Sequence, residues 1–477
     1  AQDDRVRLCL GAEEGVRVTA AFSQMQTAEL NAAVQAAMER WAVPGLALGI
    51  LQDGALETFS YGVVSLETGW PVPPETLFQI GSISKVFTAT LVMQLVDEGR
   101  LDLDVPVARY LPSLRLADEA ATGAVTLRQL LTHTAGFYGD RFDDHGYGDD
   151  ALTRSIATFA SLRQYTPPGA LWAYCNTGFQ LAGAVVEAVL GTTFEAAMRE
   201  RILAPLGLNR SCYFAHEAIT YPVATGHNTV PPEGDERPAT PEVAREWGRS
   251  RCRAAQGGLL STVGDLLRFA EFHMGDGTVN GARVRSEASV RAMQQPQVEA
   301  AMSPHWGIGW SVDSIDGVAV IGHGGTTNGF QARLTLVPER RFAFACLTNS
   351  NLGSAAIRSI EEWLLEQYMG LRQVEPGRVT LPSGSLTRFA GRYERPDIVT
   401  TIAVAADGLV LQVQGKSPIT KEPMTPPPRR ATPIDERAFL VLDGEAIGST
   451  FDFILDDDGM PRFLRLGGRL SDRVDPS

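Results

Sequence analysis

The chain has 477 residues, of which 44% are hydrophobic and 21% are charged, close to the values of folded soluble proteins. This composition excludes disordered, collagen-like and disulfide-rich miniprotein classes, and the length predicts two or three domains. The 42 basic and 56 acidic residues give a net charge of −14, which disfavours nucleic acid and anionic membranes and leaves small molecules or short peptides as partners. No apolar stretch approaches the roughly 18 residues of a membrane span, so we expect none.

The N-terminus and the cysteines bear on the compartment of the protein. The chain begins with Ala1 rather than Met, which is typical of a mature chain after signal-peptide removal and predicts a periplasmic or secreted protein, although a trimmed chain would look the same. The cysteines are widely and irregularly spaced, so they predict neither a disulfide framework nor a zinc site. A chance Cys212–Cys252 bridge is left open.

The first 370 residues predict a two-lobed α/β unit. A helix over 27–41 leads into a hairpin of two strands, 46–51 and 57–65, around an Asp-Gly turn. Further strands are expected to complete an antiparallel sheet from the other end of the region, at 318–321, 331–337 and 342–347. Helical patterns lie between the two groups of strands or follow them, at 82–98, 126–133, 177–190, 194–203, 262–274 and 354–368.

The remaining chain predicts a separate β domain. Period-two apolar runs punctuated by Asp-Gly turns lie at 400–405, 409–413, 438–442, 450–455 and 462–466. They are typical of a small antiparallel β sandwich or barrel. We therefore divide the chain into an N-terminal extension (1–26), an α/β domain (27–370), a Pro- and Gly-bearing linker (371–385) and a β domain (386–477).

Lysine is scarce, and this scarcity points to a candidate site. The chain has 39 arginines but only three lysines, and Lys85 is the sole lysine before the β domain. Arginine cannot lose its proton at workable pH, whereas a desolvated lysine can act as a base near neutrality. Ser82 lies three residues earlier on the predicted helix, so its hydroxyl shares a face with the amine. The pair predicts a serine nucleophile with its activator, and the helix N-terminus favours an oxyanion beside it.

Two further motifs could complete such a site. Tyr174 and Asn176 precede a predicted helix, where they could be packing and an N-cap, or could relay a proton and bind an acyl group. A tyrosine beside a lysine ammonium is expected to have a lowered pKa. His323 is followed by Gly324, Gly325 and Thr326, and such glycines leave a strand edge bare for a substrate backbone.

Together the three motifs, Ser-x-x-Lys, Tyr-x-Asn and His-x-Gly, resemble the serine β-lactamase and penicillin-binding protein superfamily, in its class C-like branch. The likeness covers about residues 27–370 and includes other landmarks, such as Leu-Leu-Thr-His-Thr at 130–134. It implies a β-lactamase-like fold in which an antiparallel sheet is flanked by helices beside an all-helical lobe. It also implies roles for the motif residues: Ser82 as acylated nucleophile, Lys85 as activator, Tyr174 as general base and acid, Asn176, His323 and Gly325 in substrate binding, and the N–H groups of Ser82 and Thr326 as oxyanion hole.

One departure bears on the substrate. Efficient class C lactamases usually carry Lys-Thr-Gly where this chain has His323, Gly324 and Gly325, and a histidine is mostly neutral at pH 7. The resemblance therefore favours a D-amino-acid peptidase or amidase over a strong β-lactamase, acting through an acyl-enzyme without a metal or other cofactor. The alternatives are an esterase of the same fold and a non-catalytic binding, sensing or self-assembling module. The oligomeric state is left open.

Two neighbouring features receive structural interpretations. His133 is expected to stabilise a helix end or to pack, because it belongs to a fold landmark. The acidic loop at 140–150, with five aspartates, is predicted to be a solvated rim and not a cation site.

Overall fold

The computed structural model describes residues 24–229, 240–248, 250–279, 281–382, 384–417, 421–444 and 446–474. Nearly all of the N-terminal extension, including Cys9, lies outside the described residues. Within them, no single helix has the length and apolar composition of a membrane span, and only the pair Asn176–Leu190 and Phe194–Leu203, bent by 80°, reaches it when taken together.

The centre of the larger domain is an eight-stranded antiparallel sheet built from both ends of the domain, as predicted. In spatial order its strands are Ala55–Gly62, Gly45–Gln52, Phe342–Thr348, Phe330–Val337, Val318–Thr327, Ser311–Ile315, His305–Trp306 and Val298–Glu299. The first two strands join through a tight turn at Asp53 and Gly54, which both have positive φ.

The central strand Phe342–Thr348 explains why both faces of this sheet are covered. Every residue of the strand is buried, and alternate side chains enter different cores. Phe344 and Cys346 join one core with the helices Gln24–Arg40 and Gly353–Trp363, whereas Ala345 and Leu347 join the other. The predicted last helix therefore does cover the sheet.

The long segment between the two groups of strands forms the helical lobe. The other α-helices of the described domain are Ser84–Asp97, Glu119–Ala124, Leu127–Leu131, Ala151–Ala157, Asn176–Leu190, Phe194–Met198, Ala215–Ala218, Ala254–Gly257, Val263–Met274 and Glu287–Gln294. Two helices predicted as continuous end in π-helical turns, Arg199–Leu203 and Leu364–Tyr368. The thiols of Cys212 and Cys252 are both free, so the bridge that the sequence left open does not form.

The C-terminal β domain is a closed barrel of eight antiparallel strands. Around the barrel these are Ile398–Val404, Gly391–Arg395, Arg469–Val474, Pro461–Leu466, Thr450–Leu455, Ala438–Val441, Arg429–Pro433 and Leu409–Lys416. The last pairs with the first and so removes free edges, while the short strand Pro423–Met424 pairs with the end of Leu409–Lys416, at Gly415 and Lys416. Stacked and edge-on aromatic rings, including Phe389, Phe439 and Phe453, fill its interior.

The barrel packs against the larger domain through the hairpin of its last two strands. Phe463 and Leu470 of that hairpin form a small apolar cluster with Tyr165. Arg163 and Asp472 form an ion pair at 2.7 Å beside it. A cavity of about 730 Å³ lies between the two domains, with Trp172, Glu299 and Asp452 among its lining residues.

A close backbone approach fixes the turn that carries Ser82. Residues Gly81–Ile83 form a 3₁₀ turn that lies against the strand Val318–Thr327. A methyl group on Gly325 would lie 1.9 Å from the carbonyl oxygen of Ile80 and 3.2 Å from the amide nitrogen of Ser82. A methyl group on Gly81, which has φ +50°, would lie 2.7 Å from the amide nitrogen of Thr326. Only glycines permit this approach.

We predict that Gly325→Ala lowers the free energy of unfolding by about 1–3 kcal/mol, because the methyl group must displace backbone rather than a side chain. It should also reduce the reactivity of Ser82, because the turn and the strand separate. Gly123→Ala is the matched control, since a methyl group there meets nothing within 4 Å. Urea denaturation of the two variants measures the difference, and an equal stability of both would contradict the predicted role of the close approach.

Candidate active site

The candidate nucleophile and its activator are in contact. The sequence placed Ser82 on the helix, but Ser82 lies in the preceding 3₁₀ turn, and the α-helix begins at Ser84. The turn continues into the helix, so the three-residue separation still brings the two groups together. Lys85 Nζ lies 2.9 Å from Ser82 Oγ and donates a hydrogen bond to the carbonyl oxygen of Gln256 at 2.6 Å.

Lys85 is held in a dry environment. The residue has no exposed surface, and its Nζ lies 5.2 Å from the ring centre of Tyr174 and 5.6 Å from that of Phe179. Burial penalises the charged form of an amine, which favours its use as a proton acceptor. The neighbouring Ser82 is partly exposed. The arrangement therefore joins a shielded amine to an accessible hydroxyl.

Tyr174 contacts the same hydroxyl. It is 6% exposed and its phenol is hydrogen-bonded to the Ser82 side chain. Burial raises the pKa of Tyr174 well above its ordinary value, although the Ser82 hydrogen bond and the charge of Arg469 lower it in part. The expected lowered pKa is wrong, because desolvation of the ring outweighs the nearby positive charge. Tyr174 is thus a phenol at neutral pH, a form suited to donating a proton.

Asn176 begins the helix Asn176–Leu190, where its side chain is 5% exposed. Its Nδ2 donates a hydrogen bond of 2.7 Å to Asp140 Oδ1. Asp140 also pairs with Arg469 of the barrel, with Nε 3.1 Å from Oδ2. The amide of Asn176 is therefore held by a carboxylate that is itself held by the other domain.

The acidic loop is a solvated rim, as predicted, at four of its five aspartates, Asp143, Asp144, Asp149 and Asp150, which are exposed. Asp140 is the exception, because it is only 3% exposed and contacts Asn176 of the site. Burial alone would raise the pKa of Asp140, but the charges of Arg469 and Arg395, with hydrogen bonds from Arg469 and Asn176, lower it below its ordinary value. Asp140 is therefore a carboxylate at neutral pH.

His323, Gly325 and Thr326 lie on the strand Val318–Thr327, at the edge of the site. His323 is 3% exposed, and its Nδ1 donates to the carbonyl oxygen of Gly324 at 2.6 Å. Burial, and then the charge of Lys85, lower the pKa of His323 to about 3. Thr326 is exposed, and the close approach described above brings its amide nitrogen beside the Ser82 turn. The strand thus presents a neutral ring and a backbone donor.

His133 packs under Tyr174, in agreement with its structural interpretation. Its ring centre lies 4.2 Å from that of Tyr174, and its Nδ1 accepts a hydrogen bond from the amide of Cys175 at 2.9 Å. Burial holds the pKa of His133 well below its ordinary range, so the ring is neutral. Trp172 and Trp306 complete this aromatic cluster. His133 therefore helps to fix the position of the tyrosine.

The structure brings Ser82, Lys85 and Tyr174 together in one site. Asn176 and the strand Val318–Thr327, which carries the His-x-Gly motif, lie around them. The structure adds Arg469 to the residues predicted from the sequence, and its guanidinium carbon lies 4.5 Å from the Tyr174 ring centre. No sequence signal distinguished it, because it is one of many arginines and belongs to a strand that the pattern did not predict. Across the described ranges, no group of three or more His, Cys, Asp and Glu side chains is placed to hold a metal ion.

Comparison with known proteins agrees with this geometry. Residues 30–367 match the β-lactamase family model, so the chain belongs to the β-lactamase family, whose members are typically serine hydrolases. The chain is 38% identical over 364 residues to penicillin-binding protein 4 of Amycolatopsis lactamdurans, which covers 74% of this chain and 93% of that protein.

Solved structures extend the likeness to both domains. The crystal structure of SurE with D-Leu has a TM-score of 0.72 and 27% identity, and the alignment covers 95% of this chain and 100% of that one. The octameric penicillin-binding protein homologue from Pyrococcus abyssi has a TM-score of 0.60 at 22% identity, covering 94% and 99% of the two chains. The second likeness is one of fold.

We predict that Lys85→Arg lowers kcat/KM by at least about 100-fold, because arginine remains charged and cannot accept a proton. The measurement is acylation of Ser82 by an activated ester. Lys416→Arg, at an exposed position of the barrel, is the control and should retain the activity of the unmodified protein. Full activity of Lys85→Arg would exclude proton acceptance by this amine.

We also predict that the ionisation of His323 does not shape kcat/KM between pH 5 and 8. Because its pKa is lowered to about 3, His323 has already lost its proton throughout that range. A pH profile of His323→Gln should therefore keep the shape of the profile of the unmodified protein, whatever its height. Disappearance of a transition near pH 6.5 in the variant would show that His323 is charged in the working enzyme.

Proposed function

We propose that this protein is a serine hydrolase that forms an acyl-enzyme at Ser82 and acts on peptide-like substrates whose acylating residue has the D configuration. The observation that carries the acyl-enzyme is the 2.9 Å contact between Lys85 Nζ and Ser82 Oγ in a shielded pocket. A serine hydroxyl becomes nucleophilic when a positioned base takes its proton. The preference for D residues is supported by SurE, which has been crystallised with D-Leu.

In the proposed acylation, Lys85 enters as the free amine and takes the proton of Ser82 as its oxygen attacks the carbonyl carbon. The amide N–H groups of Ser82 and Thr326 stabilise the tetrahedral oxyanion. Tyr174 gives its proton to the leaving group as the bond to that group breaks, which leaves a tyrosinate and a lysine ammonium. Proton transfer between these two groups restores the neutral pair before water attacks the ester.

Because the side chain of His323 in the His-x-Gly motif is neutral, we expect any β-lactamase activity to be weak. A permanent ammonium at this position would attract the carboxylate of a penicillin, whereas His323 is neutral because its pKa is about 3. The strand instead offers backbone groups around Gly325, which suit a peptide-like substrate. We therefore expect acylation by penicillins to exceed their turnover.

Intact-mass spectrometry after treatment with a fluorophosphonate tests the nucleophile. We expect one adduct, which Ser82→Ala abolishes while leaving the thermal stability within a few degrees of the original value. Ser359→Ala removes an exposed serine from a helix and should still be labelled. The absence of any adduct in the unmodified protein would favour the non-catalytic module.

Turnover of paired enantiomers tests the substrate. The p-nitrophenyl esters of N-acyl-D-leucine and N-acyl-L-leucine should differ by at least about tenfold in kcat/KM, because a shaped chiral pocket discriminates by contacts worth over 1.4 kcal/mol. Equal values would overturn the preference for the D form. Hydrolysis of the esters without hydrolysis of D-residue peptides would identify an esterase.

A further inference from the structure

The last hairpin of the barrel reaches the tyrosine of the candidate active site. The hairpin joins the strands Pro461–Leu466 and Arg469–Val474 through a two-glycine turn. The amide of Tyr174 donates a hydrogen bond to the carbonyl oxygen of Gly468 at 2.8 Å. A methyl group on Gly468 would lie 3.0 Å from the ring of Trp172, so the turn lies directly on the aromatic cluster. Barrel backbone therefore helps to fix the segment that carries Tyr174.

Arg469 follows this turn and makes three contacts at the site. Its guanidinium carbon lies over the Tyr174 ring, 4.5 Å from the ring centre. Its Nε lies 3.1 Å from Asp140 Oδ2, and its Nη1 donates to the carbonyl oxygen of Gly467 at 2.7 Å. Because Asp140 accepts a hydrogen bond from Asn176, the guanidinium also acts on that amide. One arginine thus touches both residues of the Tyr-x-Asn motif, directly or through Asp140.

Among the described side chains that face Tyr174, only Arg469 carries a permanent positive charge. Besides the hydroxyl of Ser82, the charged and titratable side chains that face Tyr174 in the described residues are Lys85, His133, Asp140, Cys175, His323 and Arg469. Both histidines are neutral because burial lowers their pKa values, and burial raises the pKa of the Cys175 thiol to about 12. Asp140 is negative. Of the two cations, Lys85 changes its protonation in the proposed reaction, so Arg469 is the permanent one.

We propose that Arg469 is a positioning residue of the active site: the barrel supplies through it the fixed positive charge that stabilises Tyr174 as a tyrosinate and the carboxylate contact that orients Asn176. This inference rests on the proposed function, because it concerns the step in which Tyr174 gives its proton to the leaving group. A cation on the face of an aromatic ring attracts that ring, and more strongly once the ring is anionic. The barrel then has a direct part in proton transfer and is not only a packing partner.

The inference predicts an effect that depends on the leaving group. A p-nitrophenolate departs without a proton, whereas an alkoxide needs one. In Arg469→Gln we expect kcat/KM for the methyl ester of N-acyl-D-leucine to fall about 10- to 100-fold, and that for the p-nitrophenyl ester of the same acid to fall less than about threefold. Arg469→Lys, which keeps a cation, should restore most of the methyl-ester activity.

Arg163→Gln is the matched control. It removes another ion pair between the two domains, with Asp472, from a side chain that is 56% exposed. We expect Arg163→Gln to change kcat/KM for the two esters by the same factor. If Arg469→Gln does not fold, as judged by circular dichroism, Arg469→Met keeps the apolar stem and replaces it in the comparison.

The outcomes separate this inference from the proposed function. Equal losses of both esters in Arg469→Gln, or failure of Arg469→Lys to restore the methyl ester, would overturn the role of the charge while Ser82 labelling still supports the acyl-enzyme. A selective loss that lysine reverses supports the inference. Ester turnover that persists in Ser82→Ala would overturn the proposed function itself, and this inference with it.

Discussion

The site depends on the close approach of two backbone segments. One is the turn that carries Ser82, and the other is the strand Val318–Thr327, which carries the His-x-Gly motif. The carbonyl of Ile80 occupies the space where a side chain at Gly325 would lie, and the amide of Thr326 occupies that of Gly81. The approach places two backbone amides beside one hydroxyl, where an oxyanion can be stabilised. It also ties the first residues of the helical lobe to the sheet, so the position of Lys85 follows from the same contact.

Much of this arrangement could be predicted from the sequence, because its signals are local. Apolar runs identified five of the eight strands of the main sheet, but not the strands Ser311–Ile315, His305–Trp306 and Val298–Glu299 at its edge. The single early lysine, three residues after Ser82, identified the reactive pair. The 3₁₀ turn at Ser82 changed the helix start but not the contact, because the side chains remain on one side of the chain.

The missed parts have a common physical cause. Three barrel strands, Gly391–Arg395, Arg429–Pro433 and Arg469–Val474, carry arginines that interrupt an apolar period, although they complete a closed sheet. Arg469 and Asp140 meet across 329 residues of sequence, so neither has a local pattern that marks the partner. The raised pKa of Tyr174 likewise depends on burial by several distant segments, which a sequence motif does not measure.

The hydrogen bond from the Tyr174 amide to Gly468 gives the two domains a shared boundary inside the active site. The larger domain without its barrel would expose Trp172 and Tyr165. It would also lack the Arg469 guanidinium beside Tyr174. Grafting the barrel of a relative onto this chain would therefore exchange part of the candidate active site.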